Sequence, residues 1–199
     1  LFLSHAMAHD YAVAILGGGP AGTTTASLLR KYNPDLKVLI LEKEKFPRDH
    51  VGESQLPTCS FFLNEMGCWD KIEAANFPIK IGATYVWGQS EKPWDFEFLP
   101  LDKIPEDEQR PSPYEGHRQL TAFQVDRAVY DKILLEHARE LGCEVREETA
   151  CKEVITDGDR IERLVLGDGS SVTAKHYVDA TGHVGILRRA MGVGRKIPT

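Results

Sequence analysis

Cysteine is scarce in this chain: four in 199 residues, Cys59, Cys68, Cys143 and Cys151. None forms a Cys-x-x-Cys pair, so zinc-ligand spacing is missing, and the density is too low for a disulfide framework. They read as reduced residues of a cytoplasmic protein. The seven histidines are scattered. His117, His137, His176 and His183 show no metal spacing, and no Ser-His-Asp grouping emerges, so no metal is expected. Long apolar runs are lacking too; none approaches the roughly 18–20 residues that span a bilayer, and no membrane partner is expected. Positive charge is short, with 24 Lys and Arg against 30 Asp and Glu and a net charge of −6. A broad phosphate-binding surface for nucleic acid is therefore not expected. Leu1 to Ala6 has neither the charged region nor the apolar core of a signal peptide. Met7-Ala8-His9-Asp10 resembles a natural start, so residues 1–7 are read as a remnant or disordered start outside the domain.

Hydrophobic residues make up 42% of the chain and charged residues 27%, enough to bury a core of its own. Tyr11 to Leu16 is a continuous apolar run, as a strand buried on both faces is. A glycine-rich turn follows, then a helical stretch from Ala21 to Tyr32, a breaker at Asn33-Pro34-Asp35, and a second buried strand from Leu36 to Leu41. This is a βαβ unit. Helix signals resume near Pro57 and run to Gly67. Ala83–Trp87 and Phe96–Leu99 read as strands, with Trp87 and Trp94 expected in core packing or, less simply, in substrate stacking. Pro100 to Gly116, rich in proline and acid, reads as a binding loop or lid. Val125 to Leu141 is the strongest helix, ended by Gly142. Glu144–Glu147 is a strand. Lys152–Thr156, Arg160–Leu166 and Ser171–Lys175 then form a meander, joined by Asp157-Gly158-Asp159 and Asp168-Gly169 turns. His176 to Ala180 is a further strand.

The turn Gly17-Gly18-Gly19-Pro20-Ala21-Gly22 satisfies G-x-G-x-x-G. Gly17 permits the tight turn, Gly19 lets backbone approach a pyrophosphate, and Gly22 lets helix pack on strand. The helix N-terminus offers free N–H groups and partial positive charge to the phosphates. Glu42, at the end of the second strand, answers it with a carboxylate for ribose hydroxyls, which favours an unphosphorylated ribose. Lys43 adjoins it and is placed with the cofactor. The turn alone leaves NAD and FAD both open.

A meander ahead of a strand ending Val178-Asp179-Ala180-Thr181-Gly182 resembles the flavoprotein monooxygenase superfamily. That resemblance implies an α/β fold: a Rossmann-like FAD-binding domain with a central parallel sheet and a three-stranded β-meander crossover. It also implies that the segment of Asp179 and Gly182 returns to FAD. Lys45-Phe46-Pro47-Arg48-Asp49-His50-Val51-Gly52-Glu53-Ser54, followed by Leu56-Pro57, resembles the flavin-dependent halogenases more narrowly, the tryptophan-halogenase-like branch. There the segment lies along the cofactor, which puts Arg48 near phosphates or adenosine and Glu53 and Ser54 beside the flavin. Arg48 as a solvated loop residue, and Glu53 and Ser54 as helix caps, remain open readings. Arg127 resembles a family arginine at a helix start near the cofactor; alternatively Asp126 caps that helix and Arg127 is exposed.

Lys80, in Phe77-Pro78-Ile79-Lys80-Ile81-Gly82, resembles the lysine that receives hypohalous acid in these halogenases. The alternative is an exposed strand-edge lysine. The implied activity is a halogenase using reduced FAD, oxygen and halide to form an electrophilic halogen species. Lys80 passes it to an electron-rich small-molecule substrate, free or carrier-bound, and a separate flavin reductase supplies the reduced flavin. A flavin hydroxylase or reductase, or a short chain without activity, are the alternatives. The family's W-x-W-x-I-P segment, its downstream G-D motif and its substrate sheet are not found. Residues 8–199 are therefore read as an incomplete FAD-binding domain, the amino-terminal part of a larger enzyme, with a partial substrate-facing insertion at about 77–120.

Overall fold

The computed structural model describes residues 9–98 and 122–194. The expectations for residues 1–7 and for the loop Pro100 to Gly116 lie outside the described residues. The elements in chain order begin with β1 (Tyr11–Leu16), α1 (Pro20–Tyr32) and β2 (Val38–Leu41). Then come α2 (Pro57–Glu65), α3 (Trp69–Ala74), β3 (Ile79–Lys80), β4 (Gly82–Tyr85), β5 (Trp94–Glu97), β6 (Ala122–Phe123) and α4 (Arg127–Glu140). The last are β7 (Glu144–Arg146), β8 (Cys151–Asp157), β9 (Arg160–Leu166), β10 (Ser171–Val172), β11 (Ala174–Asp179) and α5 (Ile186–Ala190). Two compact units divide them: residues 1–48 with 134–199, and residues 49–133.

In the first unit, β11-β1-β2-β7 form a parallel sheet in that order. Strand side chains alternate between faces, and the two faces have different partners. Val13 and Ile15 of β1 and Val38 and Ile40 of β2 join Ala26 of α1 and Leu135 and Ala138 of α4. Ala14, Leu16, Leu39 and Leu41 point the other way, into Leu164, Leu166 and Val172 of the meander and Leu187 of α5. Burial on both faces is why β1 and β2 read as unbroken apolar runs. Each fully buried aliphatic side chain contributes about 1.5–3 kcal/mol.

The meander is the antiparallel sheet β10-β9-β8. Its third strand is shorter than the sequence suggests, ending at Val172, and β11 starts at Ala174 rather than His176. Thr173 makes the switch. Its N–H and hydroxyl both donate to Asp10 Oδ2, at 3.0 and 2.9 Å, and its carbonyl accepts from Tyr11 N–H at 3.2 Å. The chain there leaves the meander and joins β1.

In the second unit, the helix expected from Pro57 to Gly67 is α2, and a further short helix, α3, follows it. Gly67 takes φ +78°, and Cys68 N–H donates back to the Leu63 carbonyl at 2.8 Å. That is a glycine-ended cap, and it releases the chain into α3. Trp69 of α3 packs its ring 5.4 Å from that of Phe123. β3 pairs with β6, and β4 pairs with β5, both antiparallel. Core packing for Trp87 and Trp94 is corrected: they are 79% and 50% exposed, and Trp94 stacks on Tyr85 at 5.0 Å. Among the described residues no helix is long and apolar enough to cross a membrane, and no group of three potential metal ligands occurs.

Candidate active site

The first unit carries the glycine turn. Gly17 N–H donates to the Leu41 carbonyl at 2.8 Å, and Ala180 N–H donates to the Leu16 carbonyl at 2.8 Å. The turn is thus wedged between the ends of β2 and β11. Gly17 has φ +107°, and a Cβ there collides with the Ala180 carbonyl oxygen. A Cβ on Gly22 collides with the Gly17 carbonyl oxygen. Both glycines are demanded by the chain itself. Gly19 differs: its φ of −71° suits any residue, and the nearest atom to a Cβ is Arg48 Nη2 at 3.6 Å. The chain leaves room above Gly19 that it does not itself need.

Two features face that room, the start of α1 and Arg48. Pro20 opens α1, which suits a first helical position, and the amides of Ala21 and Gly22 have no intrahelical acceptor. Arg48 lies across the turn, its guanidinium 4.6 Å over the Phe46 ring and its Nε 2.9 Å from Glu44 Oε2. Only 13% of its side chain is exposed, so Arg48 is not a solvated loop residue. The donor set, the open backbone and the positive charge fit a dinucleotide diphosphate.

Glu42 is 4% exposed. Its Oε2 accepts from Gly18 N–H at 2.7 Å and its Oε1 from Glu44 N–H at 2.9 Å. A carboxylate offers about four acceptor positions, so these bonds aim it and leave capacity for ribose hydroxyls. Lys43 is exposed. Asp179 is committed to its own turn. Its Oδ1 accepts from the Thr181 N–H and hydroxyl, and its Oδ2 from the Leu187 and Arg188 amides. Burial pushes this carboxyl up, but the four hydrogen bonds outweigh it and leave it below the ordinary range. Gly182 takes φ +65° beside that turn.

The second unit carries Lys80. The run 122–125 serves it as a rail. Lys80 pairs with Ala122, and Gln124 N–H donates to the Pro78 carbonyl at 2.8 Å. On the other side Gln55 N–H donates to Phe123, Val125 N–H donates to Glu53, and Ser54 bridges Gln124. Ser54 and Lys80 thereby meet: Lys80 Nζ donates to Ser54 Oγ at 2.8 Å and to the Gln55 carbonyl at 3.1 Å. It also sits 5.3 Å from the Phe98 ring centroid. Helix capping by Glu53 or Ser54 is corrected, because the N-cap of α2 is Leu56. Glu53 Oε2 instead accepts from Gly52 N–H at 2.9 Å. The bonds from its own amide and that of Gly52 hold its exposed carboxyl below the usual range.

Arg127 is not exposed, with 10% of its side chain accessible. It grips Asp131 and the Val51 carbonyl, while Asp126 Oδ1 accepts from the Ala128 amide at 2.9 Å. The capping reading holds for Asp126 but not for an exposed Arg127, which instead ties down the segment leading to Glu53 and Ser54.

The model of the tryptophan halogenase family matches residues 12–108 and 100–195. The chain belongs to the tryptophan halogenase family. Its relatives in that family are similar over nearly its whole length. A 1H-pyrrole-2-carbonyl-[peptidyl-carrier protein] chlorinase of Pseudomonas fluorescens is 42% identical, over 96% of this chain and 43% of the relative. The solved structure of CmlS, a flavin-dependent halogenase, superposes with a TM-score of 0.73 and 39% identity, over 94% of this chain and 32% of that one. The myxobacterial chondrochloren halogenase CndH, an FAD-dependent halogenase, gives 0.70 and 33%, over 85% and 37%. The chain spans less than half the length of each.

Two partnerships in this chain are absent from the sequence reading above, and only the first has a local signal. Asp131, fully buried, lies four residues after Arg127, a helical spacing that signals an ion pair. The Ser54–Lys80 contact spans 26 residues and has no local signal.

Proposed function

We propose that this chain forms the FAD-binding part of a flavin-dependent halogenase. The diphosphate lies on the backbone at Gly19 and the first turn of α1, with Arg48 alongside and the adenosine ribose on Glu42. The observation that supports this most is the open face above Gly19, beside amides and a guanidinium and not required by the chain's own packing. Reduced FAD, when bound, would give two electrons to oxygen, the oxidant that takes two more from halide to make an electrophilic halogen. A separate reductase delivers the reduced flavin.

Lys80 handles the halogen. Its amine is held on two sides, by Ser54 and by Gln55. It either donates a hydrogen bond to hypohalous acid or, when neutral, exchanges N–H for N–halogen, with water as the other product. The halogen then passes to an electron-rich substrate. The chlorinase relative, named for a pyrrole-2-carbonyl group on a peptidyl-carrier protein, supports a heteroaromatic ring presented on a carrier. The test is Lys80→Met in the intact gene product with reduced FAD, chloride and pyrrole-2-carbonyl carrier protein. Flavin oxidation continues and chlorination stops; chlorination at the wild-type rate removes Lys80 from the mechanism. FAD titration of Gly19→Val tests the cradle separately.

A further inference from the structure

We propose that Ser54 is a positioning residue for the Lys80 amine, a role that rests on Lys80 being the amine that handles the halogen. The geometry is specific. Lys80 Nζ lies 2.8 Å from Ser54 Oγ, 3.1 Å from the Gln55 carbonyl and 5.3 Å from the Phe98 ring centroid. An ammonium has three N–H donors and no acceptor. The Gln55 carbonyl can only accept, and the face of Phe98 only attracts positive charge. A serine hydroxyl both accepts and donates. Ser54 thus accepts from the charged amine and, after the amine loses a proton, donates to its lone pair. The Gln55 carbonyl can go on accepting from the neutral amine, which keeps two N–H groups, but among these three neighbours Ser54 alone can also donate to its lone pair, so the nitrogen stays held on that side as well.

The backbone supports this. Ser54 bridges Gln124, while Lys80 pairs with Ala122 on the same run. The two side chains therefore start from fixed positions on either side of residues 122–125, and a short hydroxyl suffices to span the gap.

The test uses the intact protein as wild type, Ser54→Ala, Ser54→Thr and Lys80→Met. Competitive acetylation, read by peptide mass spectrometry, compares Lys80 with the exposed Lys37 and Lys92. Ser54→Ala frees the amine and raises its relative labelling about fivefold, while Ser54→Thr stays within about twofold of wild type. In halogenation, Ser54→Ala lowers kcat about tenfold with the substrate KM unchanged, and Ser54→Thr restores it. Unchanged Lys80 labelling in Ser54→Ala overturns the positioning role whatever the halogenation rate. Altered labelling with halogenation intact in both Ser54→Ala and Lys80→Met overturns instead the reading of Lys80, and the catalytic consequence with it.

Discussion

Arg127 holds Asp131 through two parallel hydrogen bonds, Nε to Oδ1 at 2.8 Å and Nη2 to Oδ2 at 2.9 Å. Its remaining nitrogen, Nη1, donates to the Val51 carbonyl at 2.6 Å. One guanidinium therefore neutralises a fully buried carboxylate and fastens the chain just ahead of Gly52, Glu53 and Ser54. The planar fork is what lets one side chain do both.

Removing that guanidinium takes the paired contact away from Asp131, a fully buried carboxylate. Arg127→Met is expected to cost about 3–5 kcal/mol of stability, read from the urea midpoint. Arg127→Lys loses less but does not restore wild type, because an ammonium cannot make the paired contact. A loss under about 1 kcal/mol in Arg127→Met shows that Asp131 finds other compensation.

Gly17→Ala and Gly19→Ala separate folding from binding. Gly17 sits at φ +107° against the Ala180 carbonyl, so alanine there is strained and obstructed. Melting temperature drops sharply. Alanine at Gly19 meets nothing closer than 3.6 Å at an ordinary φ, so the melting temperature of the free protein holds. FAD affinity falls instead, because the methyl stands where the diphosphate approaches. Equal melting losses in the two variants contradict this separation.

Glu42→Gln keeps the size of the side chain and removes one of its two acceptor oxygens. Gln can satisfy the Gly18 amide or the Glu44 amide, but its NH2 then faces the other donor. The expected cost is about 1–3 kcal/mol, with weaker FAD binding on titration. Full stability in Glu42→Gln indicates that water replaces one of these bonds.

Asp179 sets an acid limb. Its folded carboxyl lies below the ordinary value, because hydrogen bonds to the charged form outweigh burial. It therefore contributes stability fully above about pH 4, and that contribution fades as pH falls from there through its depressed folded value. Asp179→Asn is expected to lower the melting temperature at pH 7 and to shrink the difference from wild type below about pH 4. A constant difference across that range assigns the acid limb to other carboxylates.

The sequence alone determined the elements whose reasons are local. Buried strands appear as unbroken apolar runs at Tyr11–Leu16 and Val38–Leu41, because both faces of a parallel strand are covered. The G-x-G-x-x-G turn and the acid at Glu42 follow from spacing along one βαβ unit. The meander turns follow from Asp-Gly steps. Boundaries shifted where a single residue's partner lay far away, as with Thr173 and Asp10. Tertiary structure alone decided what the site side chains do. Gly17 is constrained by Ala180, and Gly19 only by what it must accommodate. Arg48 proves covered, Ser54 serves Lys80 rather than a helix cap, and Asp179 serves its own turn. Those outcomes depend on contacts between segments tens of residues apart. Periodicity and local propensity carry no information about such pairs, because hydrogen-bond partners across a fold are fixed by packing.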